Sequence, residues 1–292
     1  MADEGQYFLR GVKPVATESS RLVSSSKFLN DARLRDCLAL IALRRNGPDL
    51  PSPAELVELI PILDGLRDFD RIEWLFTEER KINPRLDAWF AEEYRSPPMT
   101  IEDYAPFPAG SLGGILYQQF VDKYEVQISP HQWDATKTQY EYYQRRELQM
   151  HDLEHILVGG TVDALGELPP SWFRMTNVPK YIRNAELVGE LMHYKMFAAL
   201  RFTSRTILHY PEVWWHCTDA IHRGMTAGWA SEPLFMQKLE PVLALPLEDA
   251  RLALGVRGVV DRDTSQASAF WLGEGPPPPH PDETAVETLA AA

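Results

Sequence analysis

Apolar residues recur at helical spacing along most of this chain, and alternating strand patterns are scarce. Apolar positions three and four residues apart predict amphipathic helices. The predicted helices cover 27–45, 52–63, 68–78, 83–94, 114–123, 136–158, 179–209, 211–229 and parts of 237–254. We therefore predict an all-α fold, built as a single domain of long packed helices.

The two ends of the chain lack this pattern. Residues 1–25 are polar and serine-rich, which predicts a mobile N-terminal segment. Residues 258–292 contain the run Gly275–Pro279, and this low-complexity composition predicts a disordered proline-rich tail. The helical domain is accordingly predicted to span 26–257.

The strongest chemical signal lies at the end of the predicted helix 136–158. His151, Asp152 and His155 share one helix face about 100° wide, because each residue advances the helix by about 100°. A straight helix would carry Glu167 roughly 18 Å beyond His155, at ~1.5 Å per residue. Glu167 joins the other three only if the chain turns at Gly159–Gly160. The pattern thus predicts a metal site on one helix face.

Imidazole and carboxylate ligands suit Zn²⁺ first, and Fe²⁺, Mn²⁺, Co²⁺ or Mg²⁺ are the other candidates for one divalent ion. Asp152 has two possible roles: it either binds the ion itself, or it orients a histidine ligand without binding the ion.

Two other metal chemistries fit parts of the sequence. Residues 151–155 also match His-x-x-Glu-His, the inverted-zincin peptidase pattern, with Glu154 as general base and Glu232 as a conceivable third ligand. The pairs Glu190–His193 and Asp219–His222 have the carboxylate-x-x-His spacing of di-iron oxygenases. The peptidase pattern leaves Asp152 and Glu167 without a role, and the di-iron pattern has too few glutamates around it.

A glycine- and serine-containing turn precedes the predicted helix 114–123. The turn 108–113 includes Gly110 and Ser111, whose backbone N–H groups could hold an anionic part of a substrate at the helix N-terminus. An ordinary capped turn is the alternative.

The net charge and the composition limit which partners the protein can bind and in which compartment it is expected. The formal net charge of -13 argues against a nucleic-acid partner, whose phosphates require a basic face. Two cysteines, Cys37 and Cys217, stand far apart without metal or redox spacing, which fits a reducing compartment. The sequence contains neither a transmembrane-length apolar run nor a secretory signal pattern, so we expect a cytoplasmic protein.

The order of these motifs resembles the coenzyme Q biosynthesis protein 4 family. His-Asp-x-x-His, eleven residues and Glu match its metal motif, and residues 108–113 match its Pro-x-Gly-Ser-Leu-Gly segment. The resemblance covers roughly 105–257. The family has Arg-x-Arg-Glu just before its His-Asp pair; Arg146 matches the first arginine, whereas Leu148 and Gln149 replace the other two charged residues. This chain is therefore similar to the family as a divergent member.

The resemblance implies a function in ubiquinone biosynthesis. It assigns the metal to His151, Asp152, His155 and Glu167, and we add Arg146, Gly110 and Ser111 as candidate substrate contacts. The implied reaction replaces the C1 carboxylate of a polyprenylated benzoate precursor with a hydroxyl group, an oxidative decarboxylation. The alternative is a non-catalytic scaffold that holds an isoprenoid lipid and the other enzymes of the pathway. A homodimer, peripheral on the inner face of the membrane, is also implied.

Overall fold

The computed structural model describes residues 24–43, 45, 54–97, 99–124 and 136–280, and within them it contains eleven α-helices and no strand. The helices are α1 Ala32–Leu43, α2 Ala54–Asp64, α3 Phe69–Ile82, α4 Pro84–Glu92, α5 Leu112–Tyr124, α6 Gln139–Leu157, α7 Leu168–Tyr181, α8 Ala185–His209, α9 Trp214–Ala230, α10 Leu247–Leu254 and α11 Ser265–Leu272. The all-α prediction is confirmed. The predictions for residues 1–23, 52–53 and 281–292 fall outside the described residues.

Helix α7 lies at the centre of the packing, although the sequence pattern predicts no helix between residues 158 and 179. Pro169 and Pro170 occupy its first turn, where a missing N–H costs nothing. Its partner is α9, whose Gly224 lets the two backbones touch: a Cβ there would lie 2.5 Å from the Pro169 carbonyl oxygen. The predicted helix 179–209 is in fact divided, and Asn184 caps the start of α8 by accepting from the Leu187 N–H.

The core follows both sides of α6. One face of α6 packs with α5, α9 and α10 through apolar residues that include Met150, Leu153 and Leu157. The N-terminal half of α6 packs with α3, α4, α7 and α8 through Tyr140 and Tyr143. Helix α6 is therefore held on several sides, which fixes the direction of the residues at its C-terminal end.

The predicted disordered tail begins too early. Helix α11 lies within 258–292, and its Trp271 is completely buried against Phe202 and Tyr210. A short helix with only a few apolar residues gives a weak periodic signal, and the proline run that follows it dominates the composition. The packed fold therefore continues past residue 257 and includes α11.

Two further predictions concern the cysteines and the membrane. Cys37 and Cys217 are both buried and form no disulfide bond. No helix in the part of the chain that the structure describes combines the length and the apolar character needed to cross a bilayer.

Candidate metal centre

Helix α6 presents His151 and His155 from its last two turns. A capping box starts this helix: Thr138 accepts from the Glu141 N–H, and the Glu141 side chain accepts from the Thr138 N–H. The two histidines are four residues apart, so their rings come together at one face, with the Nε2 atoms separated by 3.4 Å. His155 is buried, whereas about a third of the His151 side chain is exposed.

The backbone fixes which nitrogen of His155 is available. The Nδ1–H of His155 donates to the carbonyl oxygen of Thr161 at 2.9 Å. A carbonyl oxygen can only accept, so Nδ1 carries a proton, and Nε2, which faces His151 and Glu167, is the nitrogen that could bind a metal ion once it is deprotonated. A backbone carbonyl behind a histidine is the usual way in which proteins orient an imidazole metal ligand.

The chain turns back after α6 and brings Glu167 to the histidines. Gly159 makes this turn with φ of 77°, a conformation that favours glycine, and a Cβ there would lie 2.7 Å from the Val260 carbonyl oxygen. Gly160 then donates to the His155 carbonyl oxygen at 2.7 Å. The carboxylate of Glu167 ends 3.5 Å from His155 Nε2 and 3.6 Å from His151 Nε2. The bend predicted at Gly159–Gly160 is confirmed.

These three side chains have the geometry of a metal site. Ligands about 2.0–2.1 Å from a tetrahedral zinc ion lie about 3.3 Å from one another. The separation of 3.4 Å between the two Nε2 atoms is close to that edge length, and each of the two Glu167 oxygens lies 3.5–3.6 Å from one of these nitrogens. His151, His155 and Glu167 also form the single cluster of three or more potential metal ligands within the described part of the chain. The residues present therefore fit a divalent ion.

Asp152, the fourth predicted ligand, is not part of this cluster. It is half-buried on α6 between the two histidines. Burial of the His155 ring opposes its protonation, but Glu167, and to a smaller extent Asp152, outweigh burial and raise the pKa of His155. Asp152 thus acts on His155 through its charge, and its role as a direct ligand stays a prediction.

The Glu167 carboxyl is held in its charged form. Burial alone would raise its pKa, but hydrogen bonds and charge from His151 and His155 lower the pKa well below the ordinary value. An anionic carboxylate is the form that binds a metal ion.

A cavity of about 1110 Å³ opens beside this cluster, between α6, α7 and α8. His151 and Glu167 form part of its wall, so a bound ion would face the cavity. Leu148 lies in the same wall. The wall combines apolar residues with cations. The apolar residues include Val162, Ala198, Phe202 and Leu272, and the cations include Arg145, Arg174, Lys195 and Arg201.

A buried ionic network forms the cavity wall one turn before His151. Lys195 donates to Glu147 at 2.7 Å, and the Tyr143 hydroxyl donates to the same carboxylate at 2.6 Å. Arg174 donates to the Glu147 carbonyl oxygen at 2.8 Å and forms an ion pair with Glu154. Four charged groups thus join α6, α7 and α8.

This network bears on the peptidase pattern. Glu154 is buried in its ion pair with Arg174, and the cavity wall does not include it. Glu232 pairs with Arg85 at 2.7 Å. Neither carboxylate joins the cluster of His151, His155 and Glu167, so the inverted-zincin arrangement is not formed.

The di-iron pattern is not formed either. Glu190 pairs with Lys27 at 2.8 Å, and Asp219 pairs with Arg223 at 2.9 Å. His222 is exposed. Among the described residues, these two carboxylate–histidine pairs make no common cluster.

The three predicted substrate contacts lie outside the cavity wall. Arg146 is buried with its guanidinium bound to Ser96 at 2.6 Å and to the Gln237 carbonyl oxygen at 2.5 Å. Ser111 accepts from the Gly114 N–H and caps α5, while Gly110 accepts from Leu247. Ser111 thus makes a capped turn at this position, and the assignment of these three residues as substrate contacts stays a prediction.

Sequence reasoning missed several residues around the centre. Thr161, Asp163 and Ala164 belong to the turn between the histidines and Glu167, and Tyr194 and Lys195 come from α8. Burial and the nearby Glu167 charge raise the pKa of Tyr194. The short spacing between His155 and Glu167 could have indicated Thr161 and Asp163 as polar residues of the turn. No sequence signal connects α8 to this site.

The chain was compared with family models, curated proteins and solved structures. No family model matches the chain, and no curated protein matches it. The fold is similar to the crystal structure of a candidate ubiquinone biosynthesis protein from Nostoc punctiforme PCC 73102, with a TM-score of 0.56 and 18% sequence identity. The match covers 79% of this chain and 95% of that chain. At this identity the likeness shows that the two proteins share a fold.

Proposed function

We propose that this chain is a metal-dependent protein of ubiquinone biosynthesis. His151, His155 and Glu167 would hold one divalent ion, zinc first, with Asp152 as the predicted fourth ligand. The observation that carries the proposal is the convergence of two Nε2 atoms and one carboxylate at the wall of a large cavity. The fold shared with the Nostoc protein, which is described as belonging to this pathway, supports it.

The proposed substrate is a polyprenylated benzoate-type precursor, and the proposed reaction is oxidative decarboxylation with hydroxylation at ring carbon C1. The ring loses CO₂ and gains a hydroxyl oxygen, so the proposed reaction needs O₂ or another oxygen donor with a two-electron oxidant as co-substrate. A bound divalent ion supplies a Lewis acid for the carboxylate and phenol oxygens of such a ring. His151 and Glu167 face the cavity, so a ring that enters it meets the ligand set directly. The Thr161 carbonyl keeps His155 in the tautomer that binds.

The cavity wall suits an amphipathic ligand. Leu148, Val162, Phe202 and Leu272 offer apolar surface to a prenyl chain, and each buried CH₂ group contributes about 0.8 kcal/mol. Lys195 and Arg174 add positive charge in the same wall, although each is paired with a carboxylate. The proposed partners are this lipid, other quinone-biosynthesis proteins, a second copy of the chain and the inner membrane face.

The test is complementation of a strain that lacks the corresponding decarboxylation step. Wild-type protein should restore quinone, and mass spectrometry of the purified protein should identify a co-purified prenylated ring compound. His155→Ala should abolish both the bound metal and quinone production. His222→Ala is the matched control, because this histidine is exposed on α9 outside the cluster, and it should behave as wild type.

Two results separate the proposal from its alternatives. A His155→Ala protein that loses its metal but still supports quinone production contradicts the catalytic function and favours the lipid-binding scaffold. A wild-type protein that does not restore quinone, or that carries no prenylated compound, contradicts the proposed substrate.

A further inference from the structure

The carboxylate of Asp163 connects the turn that carries Glu167 to helix α11 through hydrogen bonds. Asp163 Oδ1 accepts from the Gly166 N–H at 2.9 Å, from the Thr264 hydroxyl at 2.8 Å and from the Ser268 hydroxyl. Ser268 Oγ in turn accepts from the Leu165 N–H at 2.9 Å. This single oxygen therefore makes one hydrogen bond within the turn and two to residues of a distant part of the chain.

Both ends of this network stand next to proposed metal ligands. Gly166 immediately precedes Glu167. The Thr161 hydroxyl is hydrogen-bonded to the Thr264 hydroxyl, while the Thr161 carbonyl oxygen accepts from His155. Displacing Asp163 would therefore loosen the backbone that positions Glu167 and the carbonyl that orients His155.

The turn has no regular helix or strand to stabilise it between α6 and the short helical turn Leu165–Glu167. Arg223 donates to the Gly159 carbonyl oxygen at 2.8 Å and holds its beginning. Its second half depends on Asp163 and α11. Trp271, which is fully buried, anchors α11 to the helices behind the site.

We propose that Asp163 is a positioning residue for the metal centre, and that Thr264 and Ser268 make helix α11 part of that centre. The inference rests on the proposed function, because it assumes that His155 and Glu167 bind a divalent ion. Asp163 itself acts through hydrogen bonds, since its Oδ1 is already occupied by three donors. Outer hydrogen-bond partners of metal ligands typically change metal affinity by about 10–100-fold.

The experiment is a zinc competition titration on the purified full chain and its variants. Asp163→Ala should weaken zinc binding by at least about tenfold. Asp163→Asn keeps an acceptor oxygen for the same donors and should recover most of the affinity. Asp261→Ala is the control: it removes a carboxylate from the same part of the chain, where Asp261 binds Arg251 and not the turn.

A readout without metal completes the test. In the metal-free protein, Asp163→Ala should increase amide hydrogen exchange at Gly166 and Leu165, whereas Asp261→Ala should not. If Asp163→Ala fails to fold, Thr264→Val and Ser268→Ala each remove one donor and should weaken zinc binding in the same direction. Wild-type zinc affinity in a folded Asp163→Ala or in both milder variants overturns the inference while the proposed function stands. A wild-type chain that binds no zinc overturns the proposed function and the inference with it.

Discussion

The Nδ1–H of His155 donates to the carbonyl oxygen of Thr161 at 2.9 Å, across the turn that leads to Glu167. This contact makes the turn part of the site, because it fixes the ring of one proposed ligand while the same turn delivers another. The fold therefore positions the three potential ligands with two elements: the face of α6 presents His151 and His155, and the turn after α6 brings Glu167 to them. Substitutions in either element have predictable effects.

Gly166→Ala tests how tightly the turn is packed. A Cβ at this position would lie 2.0 Å from the Thr161 carbonyl oxygen, so the backbone must move away from His155. We expect a loss of about 1–3 kcal/mol or more in the free energy of unfolding, and weaker zinc binding. Thermal unfolding and zinc titration measure the two effects.

The matched control is Gly189→Ala on α8. A Cβ there meets only His193 Cε1 at 3.9 Å, an ordinary contact. Because alanine favours the helix by up to about 1 kcal/mol, this variant should be as stable as wild type or more stable. Equal destabilisation by both substitutions would contradict the tight approach at Gly166.

Glu154→Gln separates the proposed metal centre from the peptidase pattern. Glu154 pairs with Arg174 and lies outside the ligand cluster, so the variant should bind zinc as wild type does. It should nevertheless lose stability, by up to about 3–5 kcal/mol, because breaking a buried ion pair leaves one charge without its partner. Zinc titration combined with urea unfolding measures both properties. Loss of zinc binding in a fully stable protein would show that Glu154 belongs to the centre.

Trp271→Ala tests whether α11 belongs to the domain. The side chain is completely buried, and such truncations cost about 3–5 kcal/mol. Its neighbour Leu272 is 40% exposed, so Leu272→Ala should cost about 1 kcal/mol or less. Chemical unfolding compares the two. Equal, small effects would mean that α11 does not pack as described.

The Glu147 carboxyl predicts a specific pH dependence of stability. Burial would raise its pKa, but Lys195 and Arg174 outweigh burial and lower the pKa below the ordinary value of about 4.3. A carboxyl with a lowered pKa in the folded state stabilises the protein above the ordinary pKa, and this contribution is lost as the pH falls through the lowered value. Wild type and Glu147→Gln should therefore differ most in unfolding free energy near neutral pH and converge in acid.

The control for this pH dependence is Glu186→Gln. Glu186 forms an exposed pair with Arg71, and solvent screens such pairs. Its unfolding free energy should stay close to that of wild type throughout the pH range. A difference between wild type and Glu147→Gln that stays constant with pH would contradict the charged state of Glu147.

The sequence was sufficient for the parts of the fold that depend on local periodicity. The long helix that carries His151 and His155 was predicted over 136–158 and spans Gln139–Leu157, and the glycines after it indicated the bend. Helix α7 was not predicted, and it contains Pro169, Pro170 and Pro179, which have low helix propensity. Proline in a first turn is compatible with a helix, and the contact with Gly224 then stabilises it.

Sequence reasoning brought together only those site residues that lie close to one another in the chain. His151, His155 and Glu167 lie within seventeen positions, so helix geometry could connect them. Lys195 of α8 and Ser268 of α11 reach the same region through tertiary packing, which a single sequence does not encode as a pattern. Arg146 was assigned from its match to a family motif, but its side chain points to Ser96 and Gln237.

The most direct test of the account is the metal content of the purified full-length chain. Elemental analysis should find about one divalent ion per chain in the wild type, with zinc predominant. The His151→Ala/His155→Ala double variant should contain almost none, while His222→Ala should retain the wild-type amount. A wild-type protein without metal, or a double variant with unchanged metal, would contradict the central claim.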